Sequence, residues 1–204
     1  MPLVLDLRGV EAVVFGGGEV GLRKASYLAK EASVTVVSQR FEEGFALLPV
    51  RKVTEDARST YKDWVERSQL VVAATDAPAL NSEIVAYALE RGVWANSADT
   101  PSSFLIPSVV ERRTFQVAAT TMGRSPAMSR FIRQHLERTL PESFDRMVDL
   151  QEKLREWAKS AIPDQRGRER FLREVLEDEA TWQALERNEE EALELAKARG
   201  WGLG

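Results

Sequence analysis

A glycine-rich loop near the amino terminus is the clearest chemical feature of the sequence. It reads Gly16-Gly17-Gly18-Glu19-Val20-Gly21 and directly follows the apolar run Val13-Val14-Phe15. The spacing satisfies G-x-G-x-x-G, in which the first glycine makes a tight turn, the second lets the backbone approach a pyrophosphate, and the third lets a helix pack closely on a strand. Free N–H groups and the dipole at a helix start favour phosphate. We therefore predict that this loop binds a dinucleotide.

The segment Ser38-Gln39-Arg40 stands where an acidic residue would identify an NAD site. Such an acid usually follows the second strand, about 20 residues after the glycines, and holds the ribose hydroxyls. Ser38 and Gln39 could each hydrogen-bond a ribose, whereas Arg40 could face the 2′-phosphate of NADP. We count all three as cofactor residues, and their spacing leaves the choice between NAD and NADP open.

A third group of small and polar residues ends the apolar run that begins at Leu70. It comprises Ala74-Thr75-Asp76, followed by Asn81. The carboxyl ends of parallel strands form the ligand crevice of an open α/β sheet, so we predict that these residues line the cofactor. The alternative is that Thr75 or Asp76 caps a helix, which is compatible with the first interpretation.

A basic stretch lies farther along an acidic chain. Between Glu111 and Arg138 there are six arginines and two acids, whereas the whole chain has a net charge of −4. Within this stretch, Ser125-Pro126 predicts a helix start, because Ser accepts hydrogen bonds at the N-cap and Pro suits the first helical position. Arg124, Ser125 and Pro126 could hold an anion there through charge and free N–H groups. The alternative is a solvated helix face.

The elements that must position these groups alternate along the first 120 residues. Short, nearly apolar runs predict strands buried on both faces of a parallel sheet, and the stretches Val20 to Lys30 and Leu80 to Glu90 have helical spacing. The predicted strands are Val13–Phe15, Val34–Val37, Leu70–Ala74, Phe115–Ala118 and, more weakly, Val93–Asn96. This alternation predicts an α/β fold with a Rossmann-type, doubly wound parallel sheet.

After Thr120 the pattern becomes helical. We predict two apolar stripes, consisting of Met147, Leu150, Leu154 and Trp157, and of Phe171, Val175, Leu176, Trp182 and Leu185. The predicted organisation is therefore a dinucleotide-binding Rossmann domain over residues 1–112, a connecting or dimerisation section over 113–140, and a helical C-terminal domain over 141–204.

Composition narrows the class of protein. Its 204 residues include no cysteine and one histidine, which excludes disulfides, thiolate zinc sites and Cys nucleophiles and leads us to predict no metal site. We expect no membrane span and no signal peptide, and hence a cytoplasmic protein. The negative net charge argues against nucleic-acid binding.

Several blocks together resemble the precorrin-2 dehydrogenases and the amino-terminal module of siroheme synthases. The resemblance covers roughly residues 3 to 140, in the order of the family. Its blocks are Gly16–Val20 with Arg23-Lys24, Ala73–Asp76 with Asn81, Asn96–Asp99, Phe104–Ser108 and Gly123–Ala127. The sequence departs from the family at Gly21, where Ala is usual, and at Met122-Gly123-Arg124, where Gly-Gly-Lys or similar is commoner.

The resemblance implies a reaction and a set of residues. It implies NAD-dependent oxidation of the tetrapyrrole precorrin-2 to sirohydrochlorin, in siroheme biosynthesis, by an intertwined homodimer. It also implies that Asp99 is the catalytic residue and that Asn96 contacts the substrate. Independently of the family, Asp99 follows the weak predicted strand near its carboxyl end, where a carboxylate could accept a proton, although it could equally be a turn or cap residue.

Two alternative functions remain open from the sequence. One is a bifunctional dehydrogenase and ferrochelatase, with Asp99 serving both steps. The other is a module that senses the redox state of NAD and contacts a partner through its acidic tail, a function that needs no carboxylate beside the nicotinamide.

Overall fold

Five parallel strands form the sheet of the amino-terminal unit. The computed structural model describes residues 3–97 and 100–199, and the chain divides into two compact units, Met1–Ile106 and Pro107–Gly204. The strands of the first unit are β1 Glu11–Phe15, β2 Ser33–Val37, β3 Arg51–Val53, β4 Leu70–Ala73 and β5 Trp94–Ser97. They lie in the order β3-β2-β1-β4-β5. The order reverses beside β1, which confirms the predicted Rossmann-type sheet.

Helices cover both faces of this sheet. They are α1 Glu19–Leu28, α2 Ala57–Glu66 and α3 Pro78–Glu90, with a short 3-10 helix at Glu43–Leu47. Along β1, Val13 and Phe15 pack into the core that contains residues of α2 and α3, whereas Ala12 and Val14 pack into the core that contains residues of α1. Because both faces are covered, the strand is apolar at successive positions and does not alternate.

The sequence pattern does not predict β3 and α2. β3 is an edge strand of three residues with Arg51 and Lys52 exposed, so it lacks the apolar run of a central strand. α2 begins after Asp56, whose carboxylate accepts a hydrogen bond from the Arg58 N–H at 2.9 Å. An N-cap aspartate ahead of Tyr61, Trp64 and Val65 at helical spacing is the signal that would have predicted α2.

The second unit begins with a two-stranded hairpin. β6 Ser108–Glu111 pairs antiparallel with β7 Gln116–Ala119. The prediction that Phe115–Ala118 is a buried strand of the parallel sheet is therefore wrong. Gln116 and Ala118 are exposed, and within the described ranges β7 pairs with β6 alone. Exposed and covered residues thus alternate along β7, which is typical of an antiparallel strand with one covered face.

Five helices complete the second unit within the described residues. They are α4 Pro126–Thr139, α5 Ser143–Ala161, α6 Gln165–Glu177, α7 Glu179–Arg187 and α8 Glu189–Ala198. The core contains most of both predicted stripes, namely Met147, Leu150, Leu154, Phe171, Val175 and Leu185, with Trp157 and Trp182 packed against it. Leu176 is exposed, so its assignment to the second stripe is wrong. It directly follows the buried Val175, and adjacent positions on a helix do not share a face.

Two general properties concern the part of the chain that the structure describes. In that part no helix is long and apolar enough to cross a membrane. Nor do three or more His, Asp or Glu side chains come together there as they would to hold a metal ion. The three-part division of the sequence, with boundaries near residues 112 and 140, stays a prediction beside the two units of the structure.

Candidate functional site

A cleft of about 830 Å³ opens where β1, β2 and β4 end. Its position outside the carboxyl ends of the strands, where the strand order reverses, is where open α/β sheets bind ligands. The predicted cofactor residues that line it are Gly16, Gly17, Gly18, Glu19, Val20, Ser38, Gln39, Arg40, Ala74, Thr75 and Asp76. Gly21 and Asn81 are not among the lining residues. Three separate segments of the sequence are thus brought to one crevice.

The glycines of the loop have different physical roles. Gly16 has φ +112°, and a β-carbon there would lie 2.1 Å from the carbonyl oxygen of Ala74. A β-carbon on Gly21 would lie 2.0 Å from the carbonyl oxygen of Gly16. A β-carbon on Gly18, in contrast, would meet nothing within 4 Å. The loop is therefore closely packed at Gly16 and Gly21 and open to the cleft at Gly18.

The start of α1 lies in the wall of this cleft. Gly18 is the N-cap of α1 and makes no side-chain capping bond, and Glu19 and Val20 of the first turn also line the cleft. The first N–H groups of a helix have no partner within the helix, and the dipole there favours negative charge. Together with the open space at Gly18, this arrangement fits the pyrophosphate of a dinucleotide.

The rim of the cleft beyond β2 carries charges of both signs. Arg40 is exposed, and its side chain makes no hydrogen bond or ion pair with another residue in the ranges 3–97 and 100–199. The carboxylates of Glu42 and Asp56 line the same rim. Asp56 precedes α2, an element that the sequence pattern does not predict, which is why sequence reasoning missed this acid.

Asn81 supports the cleft from behind. It lies on α3, is fully buried, and bonds the turn after β4 through both atoms of its amide. Its Oδ1 accepts from the Thr75 N–H at 3.0 Å and from the Thr75 hydroxyl at 2.7 Å, while its Nδ2 donates to the Thr75 carbonyl oxygen at 3.0 Å. The N-cap of α3 is Ala77, so neither Thr75 nor Asp76 caps it. Asn81 thus fixes the shape of a turn that lines the cleft.

A polar contact joins α1 to β5. Asn96 of β5 is 4% exposed, and its Nδ2 donates to the Phe104 carbonyl oxygen at 2.8 Å. Its Oδ1 accepts a hydrogen bond from the Nζ atom of Lys24, on α1. Lys24 was not among the predicted site residues. A substrate-binding role for Asn96 stays a prediction, because both amide atoms bond to groups of the protein itself.

Comparison with known proteins identifies the family to which the chain belongs. A family model described as "Putative NAD(P)-binding" matches residues 3–108. A precorrin-2 dehydrogenase of Methanosarcina barkeri is 35% identical over 97% of this chain and 92% of its own length. The chain belongs to the precorrin-2 dehydrogenase family.

Longer relatives and a solved structure agree with this family. Siroheme synthases of Thioalkalivibrio sulfidiphilus and Nitrosococcus oceani are 36% and 32% identical over 99% and 94% of this chain. The chain spans 42% of the length of each. The solved structure of SirC, a precorrin-2 dehydrogenase, covers 98% of this chain and all of its own, with a TM-score of 0.75 at 20% identity. That likeness shows the shared fold.

The family block around Ser125 forms a helix start in the second unit. Ser125 is the N-cap of α4, with Pro126 as the first helical residue, and its Oγ accepts from the Met128 N–H at 3.2 Å. No described residue accepts the hydroxyl hydrogen of Ser125. Just before it, Met122 and Gly123 have φ of +54° and +78° in a turn closed by a 3.1 Å hydrogen bond from the Arg124 N–H to the Thr121 carbonyl oxygen. The helix start predicted from the sequence is confirmed.

Most arginines of the basic stretch are already bonded to other groups of the protein. Four arginines bond within the second unit: Arg112 to the Glu137 and Leu140 carbonyl oxygens, Arg113 to Asp149, Arg133 to Glu137, and Arg138 to the Gln134 carbonyl oxygen. Arg124 and Arg130 make no such contact with another described residue. These are the arginines of the stretch whose guanidinium groups the second unit leaves free, and the anion site at Arg124, Ser125 and Pro126 stays a prediction.

Asp99, the predicted catalytic residue of the family, lies outside the described residues. Ser97, two positions earlier, ends β5. The parallel strands of the sheet all end at the edge where the cleft opens. The catalytic role of Asp99 is therefore a proposal that rests on its place in the sequence.

Proposed function

We propose that this protein oxidises precorrin-2 to sirohydrochlorin with NAD⁺, in siroheme biosynthesis. The observation that carries the proposal is the match to a precorrin-2 dehydrogenase at 35% identity over nearly the full length of both chains. The cleft supports it, because the open position at Gly18 and the uncapped start of α1 suit a pyrophosphate. Both the cofactor and the substrate are soluble molecules, so we also propose a cytoplasmic location.

The reaction removes two hydrogens from the tetrapyrrole, one as a hydride that carries both electrons and one as a proton. NAD⁺, when bound, supplies the acceptor for one hydrogen as hydride. The second hydrogen leaves as a proton, and we assign its acceptance to the carboxylate of Asp99. Asn81 keeps the turn at Thr75 in shape, and the close packing at Gly16 and Gly21 fixes the loop. These residues shape the cleft that binds and orients the cofactor, and Asp99 takes the proton.

The substrate requires positive charge on an otherwise acidic protein. Precorrin-2 carries eight carboxylates, and the chain has a net charge of −4. Arg124 can bind one carboxylate through two parallel hydrogen bonds, and Ser125 can donate its hydroxyl hydrogen to another. The amino-terminal end of α4 adds free N–H groups, whose partial positive charge also favours carboxylates. We therefore propose that Arg124, Ser125 and the helix start at Pro126 hold carboxylates of the substrate.

The test of this function is release of NADH on mixing the protein with NAD⁺ and precorrin-2. Asp99→Asn should lower kcat by about 100-fold or more, the usual contribution of a positioned base, while leaving the Kd for NAD⁺ unchanged. Asp63→Asn, at an exposed position on α2, is the control for loss of one carboxylate and should behave like the parent. Parental kcat in Asp99→Asn would contradict the assignment, and no NADH from the parent would contradict the function.

We also propose that the protein is a homodimer that buries the outward face of α4. Met128 and Phe131 on this helix are 47% and 57% exposed, a large apolar area for a solvated face. The β6–β7 hairpin beside it has two strands within the described residues, and such a pair gains from further pairing. Phe131→Glu should lower the mass measured by sedimentation to that of a monomer, whereas Leu176→Glu, at an exposed position on α6, should not. An unchanged mass in Phe131→Glu would place the interface elsewhere.

A further inference from the structure

The turn after β2 is held against the glycine loop. The Glu42 N–H donates to the Gly17 carbonyl oxygen at 2.8 Å, and a β-carbon on Gly17 would lie 2.0 Å from the Arg40 carbonyl oxygen. The Arg40 N–H donates to the Ser38 hydroxyl oxygen at 3.4 Å. Residues 38–42 therefore have a fixed place beside the loop that we assign to the pyrophosphate. In a Rossmann-type sheet the end of the second strand is where the adenosine ribose of the dinucleotide lies.

The chain after β3 leaves the sheet at the same edge. Val53 of β3 pairs in parallel with Val37 of β2, and the Ser38 N–H donates to the Val53 carbonyl oxygen at 3.1 Å. Because neighbouring strands lie about 4.8 Å apart, the segments that follow β2 and β3 begin side by side. Asp56 comes three residues after β3, as the N-cap of α2, and lines the same cleft as Gly18. The cleft thus has an acid after β3, although it lacks the usual acid directly after β2.

The carboxylate of Asp56 has one bonded oxygen and one that is available to a ligand. Oδ1 accepts from the Arg58 N–H at 2.9 Å, whereas Oδ2 accepts no hydrogen bond from another residue in the ranges 3–97 and 100–199. The cap bond already fixes the side chain, so Oδ2 can accept a hydroxyl hydrogen with little further loss of conformational entropy. The neighbouring carboxylate of Glu55, in contrast, accepts from the indole N–H of Trp64 at 3.0 Å.

The charges of this rim favour a ribose hydroxyl over a phosphate. Acids outnumber arginines among the charged residues between positions 40 and 58 that line the cleft, which are Arg40, Glu42, Glu43, Glu55, Asp56 and Arg58. The 2′-phosphate of NADP would add negative charge to an acidic rim, whereas the 2′-hydroxyl of NAD can donate to a carboxylate. Arg40 is the group that would attract a phosphate, since it follows β2 directly and its guanidinium is exposed.

We propose that Asp56 selects NAD⁺ over NADP⁺. Its Oδ2 accepts the hydrogen of the adenosine 2′-hydroxyl, and its negative charge prevents Arg40 from receiving a 2′-phosphate. An acid after β3 thereby does what an acid after β2 usually does. This inference rests on the proposed function and deepens it, because it names the residue that chooses the cofactor. Arg40 becomes a phosphate-binding residue only when the charge of Asp56 is removed.

The test is the Kd for three dinucleotides, measured by calorimetric titration without any tetrapyrrole. The probes are NAD⁺, NADP⁺ and the 2′-deoxyadenosine analogue of NAD⁺. Asp56→Asn removes the charge and keeps the cap, because Asn caps a helix about as well as Asp. The double variant Asp56→Asn with Arg40→Gln also removes the proposed phosphate-binding residue. Asp63→Asn is the matched control, since Asp63 is exposed on the same helix and is not among the residues that line the cleft.

We expect Asp56→Asn to raise the Kd for NAD⁺ about tenfold, through loss of one charge-assisted hydrogen bond. Its Kd for NADP⁺ should fall about tenfold, because a carboxylate no longer repels the phosphate, and the added Arg40→Gln should cancel that fall. The Kd for the 2′-deoxy analogue should change less than about twofold in Asp56→Asn, since that probe lacks the hydroxyl. Asp63→Asn should keep all three parental values.

Three results would overturn the inference. They are a parent that prefers NADP⁺, a parental Kd for NAD⁺ in Asp56→Asn, and an equal loss of affinity for NAD⁺ and its 2′-deoxy analogue. If Asp56→Asn does not fold, Asp56→Ser gives the same comparison, because Ser also caps a helix. A parent that binds NAD⁺ with this selectivity but releases no NADH with precorrin-2 contradicts the proposed function alone. A parent that turns over with a selectivity indifferent to Asp56 contradicts this inference alone.

Discussion

Two glycines of the loop should respond to substitution in opposite ways. Gly18→Val places its side chain in open space, since a β-carbon there meets nothing within 4 Å, and the extended backbone of Gly18, with φ −81° and ψ −174°, suits a β-branched residue. We expect the variant to fold but to lack room for the pyrophosphate. Gly21→Ala places its β-carbon 2.0 Å from the Gly16 carbonyl oxygen, which forces the loop to move.

The magnitudes follow from this geometry. Overpacking against backbone atoms costs about 3 kcal/mol, and replacing glycine by alanine within a helix returns about 1 kcal/mol. Gly21→Ala should therefore lower the free energy of unfolding by about 2 kcal/mol, which is roughly 4–8 °C in Tm for a chain of this size. NAD⁺ at 100 times its Kd should stabilise the parent by about 2.7 kcal/mol, and Gly18→Val should lose this gain.

Thermal unfolding with and without NAD⁺, together with calorimetric titration, measures both effects. The expected pattern is a Tm near that of the parent with no response to NAD⁺ in Gly18→Val. In Gly21→Ala we expect a lower Tm that still rises with NAD⁺. Parental NAD⁺ affinity in Gly18→Val would refute the placement of the pyrophosphate, and a Tm of Gly21→Ala equal to that of the parent would refute the packing argument.

Three further predictions concern the second unit. Arg124→Gln should raise the KM for precorrin-2 about 3- to 10-fold and leave that for NAD⁺ unchanged, while the charge-matched Arg138→Gln, whose guanidinium bonds to its own helix, should alter neither in steady-state assays. Met122→Gly should raise the free energy of unfolding by about 0.5–1 kcal/mol in urea titrations, because Met122 has φ +54°, a backbone conformation that strains residues with a side chain. An unchanged or lower free energy of unfolding would contradict this. The Thr114 hydroxyl, donating to Asp145 at 2.6 Å, lowers the pKa of that carboxyl. Its stabilisation is present above the ordinary pKa and lost as pH falls through the lowered value, so urea midpoints measured from about pH 5 down to about pH 3 should fall less in Asp145→Asn than in the parent.

The fold class could be predicted from the sequence because its signals are local. β1, β2 and β4 are short apolar runs, since strands covered on both faces need apolar residues at successive positions. The glycine loop is identifiable for a similar reason. A side chain at Gly16 or Gly21 would collide with a nearby backbone atom, and Gly18 leaves open space for a ligand. The N-cap at Ser125 also depends on neighbouring residues alone.

Long-range bonds decided what the sequence could not. The six arginines of the basic stretch look alike in sequence, but four bond to groups up to 36 positions away, and only tertiary structure reveals that Arg124 and Arg130 do not. Lys24 and Asn96 are 72 residues apart, so no spacing rule connects them. β7 was assigned to the wrong sheet because a four-residue apolar run does not specify its partner. Local patterns indicate which elements form, because helices and strands depend on adjacent side chains and backbone. Only the packed chain determines which distant groups meet and which charges stay unpaired.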